Sequence, residues 1–276
     1  MGYASFSTID AVLRDGILRA SLDNGPLNLM DEAMFADLTA LAGELEQDDA
    51  VRVLVVDSAN PDFFCAHADV SQWTGGLEEL PPPSAEPNPY QTLFERFRNL
   101  PQATIAVVSG RARGGGVEFA LSLDMRFADR DRAVFAQPEV GLGAMPGFGA
   151  TQYLPLLIGR GRALELVLGG DDVDAEVAAA YGIFNRALPA DELSAFVDAL
   201  AARIASFPPS AIRAAKAADD AQVGDLTAGL LAENDGLMRT LVTSEVPRRM
   251  SLFLERGGQT PEFEADLGEH MPSLAV

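Results

Sequence analysis

The sequence predicts a layered α/β fold that ends in a helical part. Three observations carry this. Val51 to Val56 and Thr104 to Val108 are short runs rich in β-branched residues, the pattern of strands buried in a sheet. Stretches with apolar residues three and four apart lie between and around them, and an alternation of strand and helix calls for crossover connections and a layered core. From Gly149 onward the pattern is helical only. The 276 residues exceed a usual single domain, yet no polar linker divides them, so the expectation is one α/β core over residues 1–200 followed by a helical region over 201–276.

In order along the chain, Phe6 to Leu13 and Gly16 to Leu22 read as two strands joined by a hairpin turn at Arg14-Asp15-Gly16. After the turn-rich Asp23-Asn24-Gly25-Pro26, Asp31 caps a helix whose Met34, Leu38, Leu41 and Leu45 form one apolar stripe. The strand Val51 to Val56 follows, and Asp62 to Val70 reads as its junction with a helix. Residues 75–90 contain Gly75-Gly76, Pro81-Pro82-Pro83, Pro87 and Pro89, which predicts an exposed, mobile loop. Residues 90–99 read as a short helix leading into the strand Thr104 to Ser109, and an apolar helix leaves the glycines at 114–116. Further helices are expected over Thr151 to Ile158, Arg160 to Leu168, Ala175 to Tyr181, along the stripe Leu193, Phe196, Val197, Leu200 and Ile204, and over roughly 210–220 and 226–254. No internal repeat is visible.

Composition removes several function classes. Hydrophobic residues make up 48% of the chain, enough for a large core, and no apolar run reaches the ~18 residues of a membrane span. A net charge of −21, with 20 dispersed Lys and Arg, argues against nucleic acid and anionic membrane surfaces as partners. Cys65 stands alone, so there is no intrachain disulfide, and two histidines leave little for a zinc site; no metal is expected. The start shows no basic-then-apolar leader, and Met1-Gly2 is followed at position 6 by Phe6 where a myristoylation motif wants Ser or Thr. The expected compartment is a reducing cytoplasm.

The chemistry-bearing feature is Gly114-Gly115-Gly116-Val117-Glu118, with Glu139 twenty-one positions after Glu118 in Ala136-Gln137-Pro138-Glu139. Three glycines let a ligand atom approach backbone N–H groups, and a helix starting behind them aims its positive end at that atom. This is an anion hole with two carboxylates beside it. Together with Asp62-Phe63-Phe64-Cys65-Ala66-His67-Ala68-Asp69-Val70 and the Gly/Pro-rich stretch Gly141 to Gln152, it resembles the crotonase superfamily, also called the enoyl-CoA hydratase/isomerase family, over roughly residues 5 to 257.

The resemblance implies a crotonase-like core of layered β-sheet and helix, with residues 201–276 as a trimerisation region and homotrimers or homohexamers as the assembly. It implies an oxyanion hole formed by the N–H groups of Ala68 and Gly115, an enolate intermediate, and no cofactor beyond coenzyme A as the carrier of the substrate thioester. An acyl carrier protein thioester would meet the same hole. The acidic surface disfavours a polyanion, but a local cluster of bases can overcome a global field screened over about 8 Å. Arg256 is a candidate phosphate contact.

By the same resemblance, Glu118 activates water for attack at the β-carbon and Glu139 delivers a proton to the α-carbon. Locally, Glu118 lies in a first helical turn, which favours its ionised form, whereas the apolar neighbours of Glu139 raise its pKa. Departures from the family pattern are His67, where glycine is usual, Phe148 and Ala150 in a loop commonly all glycine, and Tyr153 after Thr-Gln. His67 and Phe148 are therefore expected to shape the acyl pocket, with a packing role for His67 as the plainer alternative. Arg111 and Arg113 are also unusual; solvated loop positions and subunit or substrate contacts both remain open for them. Cys65 is expected to be core.

The leading reading is an enoyl-CoA hydratase-like lyase acting on an acyl thioester. Alternatives on the same scaffold are double-bond isomerisation, thioester or carbon–carbon hydrolysis with His67 as base near Asp69 and Ser71, and a non-catalytic acyl-thioester binder.

Overall fold

The computed structural model describes Tyr3 and residues 6–274; Met1-Gly2, read above for an acylation signal, lies outside the described residues. The chain opens with the antiparallel hairpin β1 (Ile9–Arg14) and β2 (Ile17–Leu22). Its two-residue turn is Asp15-Gly16, both at positive φ (52° and 81°), the turn whose twist matches the flanking strands. Helix α1 (Glu32–Leu45) follows, with the Asp31 side chain accepting from Met34 N at 2.9 Å, and then β3 (Val53–Ser58) and β4 (Phe63–Cys65). Helix α2 (Pro89–Arg98), β5 (Ala103–Val108), β6 (Arg111–Arg113), α3 (Gly115–Ser122), β7 (Met125–Asp129) and β8 (Val134–Ala136) complete the central part. Beyond them lie α4 (Ala150–Gly169), β9 (Val173–Asp174), α5 (Ala175–Tyr181), β10 (Arg186–Leu188) and α6 (Ala190–Ala205). The C-terminal helices are α7 (Pro209–Val223), α8 (Thr227–Leu241), α9 (Glu245–Glu255), α10 (Pro261–Ala265) and α11 (Leu267–His270).

Two sheets result. The larger runs β1-β2-β3-β5-β7-β10 and is parallel from β2 onward. Every residue of β5 is buried because helices cover both faces, which is why it reads as an apolar run interrupted only by Thr104. Leu54, Val56, Ala106 and Val108 face a core shared with α1, α2 and α3, while Val53, Val55, Ile105 and Val107 face Leu193, Val197, Ala201 and Ala205 of α6. The smaller sheet runs β4-β6-β8-β9, with β4, β6 and β8 parallel. A third apolar cluster joins Val70 and Leu142 to Leu237, Leu241, Val246, Met250, Phe253, Leu267 and Leu274, so the C-terminal helices pack over the smaller sheet's end.

Several sequence expectations are revised. The helix expected after Asp62 to Val70 is a single 3-10 turn, Val70–Trp73. The helix expected over 226–254 is broken at Val242-Thr243-Ser244, because Pro247 has no N–H to donate and its ring would strike the carbonyl of Thr243 in a continuous helix. Helix α4 keeps the expected division: Gly159, at φ 76° and ψ 156°, interrupts it. Residues 77–85 are largely exposed but fastened to α8, with Leu77 N donating to Leu241 O (2.9 Å) and Ser84 bonded to Asn234 and Asp235.

Candidate active site

The parallel order β4-β6-β8 explains why three distant sequence motifs converge. Their carboxyl ends lie side by side and deliver, in turn, Ala66-His67-Ala68, Gly114-Gly115 and Gln137-Pro138-Glu139 to one edge, where open parallel sheets commonly hold ligands. Above this edge is a cavity enclosing about 690 Å³ of empty space, part of it open to solvent. Its floor holds His67, Ala68, Gly115, Glu118, Pro138 and Glu139. Its walls are Val70, Trp73, Leu142, Ala144, Met145, Phe148, Leu237, Leu241, Met250, Phe253 and Leu267, which suits an apolar ligand chain.

The three glycines have three separate reasons. Gly114 is at φ +48°, and a Cβ there would stand 2.7 Å from Glu139 Oε1. Gly116 lets α3 approach β4, since a Cβ would lie 2.4 Å from the Cys65 carbonyl oxygen. Only Gly115 borders the cavity. Its N–H and that of Ala68 have no acceptor among the described residues, and a Cβ on Gly115 would come within 3.6 Å of Ala68 N, so the two donors are near neighbours.

Glu118 is buried, with Oε1 accepting from Phe148 N (2.8 Å) and Ala150 N (3.0 Å). Burial, reinforced by the charges of Glu233 and Glu139, holds its pKa well above the ordinary carboxylate range. This corrects the expectation that its helix position favours the ionised form: desolvation outweighs the dipole and the two N–H bonds. Burial likewise pushes Glu139 up to about 7, opposed by a nearby His67. With the Gln137 amide nitrogen turned toward it, the orientation that satisfies both groups, Gln137 donates to both Glu139 oxygens at 2.8 and 3.0 Å.

A third carboxylate joins them from α8. Glu233 is buried and accepts from Gly149 N (2.7 Å), Thr151 N (2.9 Å), the Thr151 hydroxyl and Gln91 Nε2 (3.0 Å). All four bonds can be donated to it, which favours the anion, although burial outweighs them and raises its pKa above the ordinary carboxylate value. The sequence did carry a signal for it: Leu230, Glu233, Leu237 and Leu241 lie on the buried face of one helix, and a carboxylate on such a stripe needs partners.

The remaining singled-out residues fall into place. The Phe148 ring stacks on Tyr90 (centroids 4.1 Å) and borders both Gly115 and the cavity. Arg113 is wholly buried and binds Asp172 through two bonds (2.7 and 2.6 Å), so it is neither solvated nor in the cavity. Arg111 donates to Ala265 O. Arg256 is engaged by Ser273 through its carbonyl (2.6 Å) and hydroxyl (2.9 Å) oxygens, which occupies the candidate phosphate contact. Cys65 is a buried thiol whose pKa burial pushes up to about 12, as befits core. The Tyr153 hydroxyl donates to Glu95 (2.7 Å). Both His67 ring nitrogens face acceptors, Ala68 O and Glu264 Oε1, leaving no free lone pair for the base that the hydrolase reading required.

The enoyl-CoA hydratase/isomerase family model matches residues 13–265, most of the chain and all of the cavity lining except Leu267. The chain belongs to this family. A Streptomyces avermitilis protein assigned as an enoyl-CoA hydratase shares its fold with a TM-score of 0.90 and 42% identity, over 98% of this chain and 99% of that one. The short-chain-enoyl-CoA hydratase of Clostridium acetobutylicum is 32% identical over 83% of this chain and 87% of its own length. The crotonyl-CoA hydratase of Syntrophomonas wolfei is 31% identical over 83% and 88%. Membership makes the chain an enzyme of hydratase-like type. Among the described residues, no helix is long and apolar enough to cross a membrane and no group of three His, Cys, Asp or Glu is placed to hold a metal.

Proposed function

We propose that the protein adds water to, or removes it from, an α,β-unsaturated acyl thioester carried on coenzyme A. The observation that carries this reading is that Glu118, Glu139 and two acceptor-less N–H groups converge on the floor of one apolar cavity. The thioester oxygen would sit between Ala68 N–H and Gly115 N–H. Such donors stabilise a developing oxyanion by about 3 to 4 kcal/mol each. As the water oxygen bonds to the β-carbon, the π electrons shift through the α-carbon onto the thioester oxygen as an enolate, and the water proton passes to Glu118. Glu139 then gives a proton to the α-carbon, and the proton on Glu118 must reach Glu139 before the next cycle. One proton shared by the two carboxylates is therefore the active state, and the raised pKa values of both groups favour retaining it.

Incubation with short, long, branched and aromatic enoyl-CoA thioesters in heavy-oxygen water tests the reading. Loss of the conjugated absorbance with one labelled oxygen in the product is expected. Migration of the double bond without label would instead mark an isomerase, and ligand binding without hydrogen exchange at the α-carbon a mere binder.

The assembly we propose is a homotrimer or homohexamer. Helix α7 has no buried residue in the single chain, and Leu156, Leu157 and Leu168 of α4 are exposed, as surfaces awaiting a second copy would be. Light scattering gives the mass. The lone reduced, buried Cys65 supports a cytoplasmic location, which cell fractionation would test.

A further inference from the structure

His67 is held in a way that fixes its charge. Its Nδ1 lies 2.7 Å from the Ala68 carbonyl oxygen and its Nε2 lies 3.1 Å from Glu264 Oε1. A neutral imidazole has one N–H, and neither a carbonyl oxygen nor a carboxylate supplies a proton. In either neutral tautomer one contact would set acceptor against acceptor. Because the neighbouring positive charges and the Gln259 N–H outweigh burial and hold the pKa of Glu264 below its ordinary value, it is a carboxylate, and only the imidazolium satisfies both.

The charges around the ring agree. From α10, Glu264 is fully buried and its Oε1 also accepts Gln259 N–H (3.0 Å), while its Oε2 lies 3.9 Å from Arg113 Nη1. From β6, Arg113 opposes the histidine charge, but Asp172 already pairs with that guanidinium. From the end of β8, Glu139 interacts with the ring electrostatically. From α9 the ring meets only Phe253, edge on, with centroids 5.8 Å apart. Burial disfavours the imidazolium, yet the Glu264 carboxylate and the Ala68 carbonyl together outweigh it and the pKa of His67 is raised.

The same histidine determines the backbone at the oxyanion position. Its carbonyl accepts Met30 N–H (2.9 Å), Asp69 N–H reaches Met30 O (3.3 Å), and its ring clasps the Ala68 carbonyl, so the peptides on both sides of Ala68 are pinned. The Ala68 N–H is left pointing free of any acceptor among the described residues. Gln259 ties the same loop to the C-terminal segment, accepting Val70 N–H (2.7 Å) and donating to Asp69 Oδ1 (3.0 Å).

We propose that His67 is a positioning residue for the oxyanion: an imidazolium locked between Glu264 and the Ala68 carbonyl that orients the Ala68 N–H and places a fixed positive charge beside the enolate. The proposal rests on the hydratase reading above. It deepens that reading by assigning a task to the C-terminal segment, which supplies Glu264 and so keeps the charge in place.

The probe is acetoacetyl-CoA, a 3-oxo thioester whose enolate absorbs in the near ultraviolet, with butanoyl-CoA as a ligand that forms no comparable enolate. The apparent pKa for enolisation of the bound probe is read in the wild type, His67→Gln and Glu264→Gln. The wild type should lower it relative to the free probe. His67→Gln should raise it by about one unit, tenfold in enolate affinity, with butanoyl-CoA binding changed much less. Glu264→Gln should follow His67→Gln near neutral pH, because burial and Arg113 then disfavour the imidazolium with no carboxylate opposing them, and return toward the wild type only at a pH below the ordinary imidazole value of about 6.5. An enolisation pKa equal in His67→Gln and wild type overturns the proposal. If His67→Gln does not fold, Glu264→Gln decides, and enolisation in that variant that parallels the wild type at every pH overturns it. Failure of the wild type itself to lower the value removes the hydratase reading, and this proposal with it.

Discussion

Glu118 and Glu233 divide the N-terminus of α4 between them. Glu118 takes the N–H groups of Phe148 and Ala150, and Glu233 takes those of Gly149 and Thr151. One helix end, with its unpaired donors and positive pole, thus serves two buried carboxylates that repel each other. The arrangement fixes the loop carrying Phe148 and helps keep a proton on the catalytic pair.

This repulsion predicts a pH effect. The working state has one proton on Glu118 and Glu139 together, so activity should fall as pH drops below about 7, where the pair takes up a second proton and neither carboxylate is left to act as base. The Glu233 anion raises the pKa of both groups, so Glu233→Gln should move this acid limb to lower pH. The variant should also lose about 1–3 kcal/mol of stability, because its amide nitrogen must face a backbone N–H. A kcat/KM profile against pH checks the limb; one unchanged from wild type would remove Glu233 from the titrating group.

Glu118→Gln and Glu139→Gln should each slow hydration by at least ~100-fold, the scale of a lost general acid or base. Both folds should survive. In Glu118→Gln the amide oxygen can still accept from Phe148 and Ala150, and in Glu139→Gln it can still accept one bond from Gln137. Stopped-flow absorbance and saturated-thioester binding separate the two effects. Normal hydration by Glu118→Gln would reassign the chemistry to isomerisation.

Gly114→Ala and Gly115→Val separate two causes of inactivity. The first adds a Cβ 2.7 Å from Glu139 Oε1 at a positive φ, so it should displace the acid and cost stability. The second adds bulk beside the Phe148 ring, 3.2 Å from the new Cβ, and near Ala68 N, so it should block the oxyanion position with less change in melting temperature. Loss of turnover in both, with the larger melting shift in Gly114→Ala, is the expected pattern.

Local signals made the frame legible. Asp15-Gly16 gave the hairpin, Asp31 the start of α1, and β-branched runs the central strands. The short strands β4, β6, β8, β9 and β10 were not legible, and the last two interrupt what reads as a purely helical stretch after Gly149, because two or three residues carry no periodicity and their pairing is set by distant partners. Family resemblance pointed to Glu118, Glu139, Ala68 and Gly115, and all four do border one cavity. Glu264 and Gln137 left no sequence signal, since their importance comes from what a folded-back segment or a buried amide happens to face. The order of carboxylate pKa values misled for a related reason: helix position is local, whereas desolvation and the Glu233 charge are tertiary.

Phe253 offers a test that joins packing to substrate choice. It is 1% exposed, belongs to the apolar cluster of the C-terminal helices, lines the cavity, and touches the rings of both His67 and Phe263 edge on. Truncation to alanine removes a ring from a packed wall, a change that costs about 3–5 kcal/mol when the surroundings cannot collapse. The space released adjoins the ligand cavity, so a long acyl chain could fill it and recover part of that loss. Phe253→Ala should therefore melt at a lower temperature than wild type and shift kcat/KM toward longer enoyl thioesters, with saturated long-chain thioesters raising its melting temperature more than they raise that of the wild type. Destabilisation with an unchanged chain-length profile would mean that the acyl group lies elsewhere in the cavity, against other residues of its wall than Phe253.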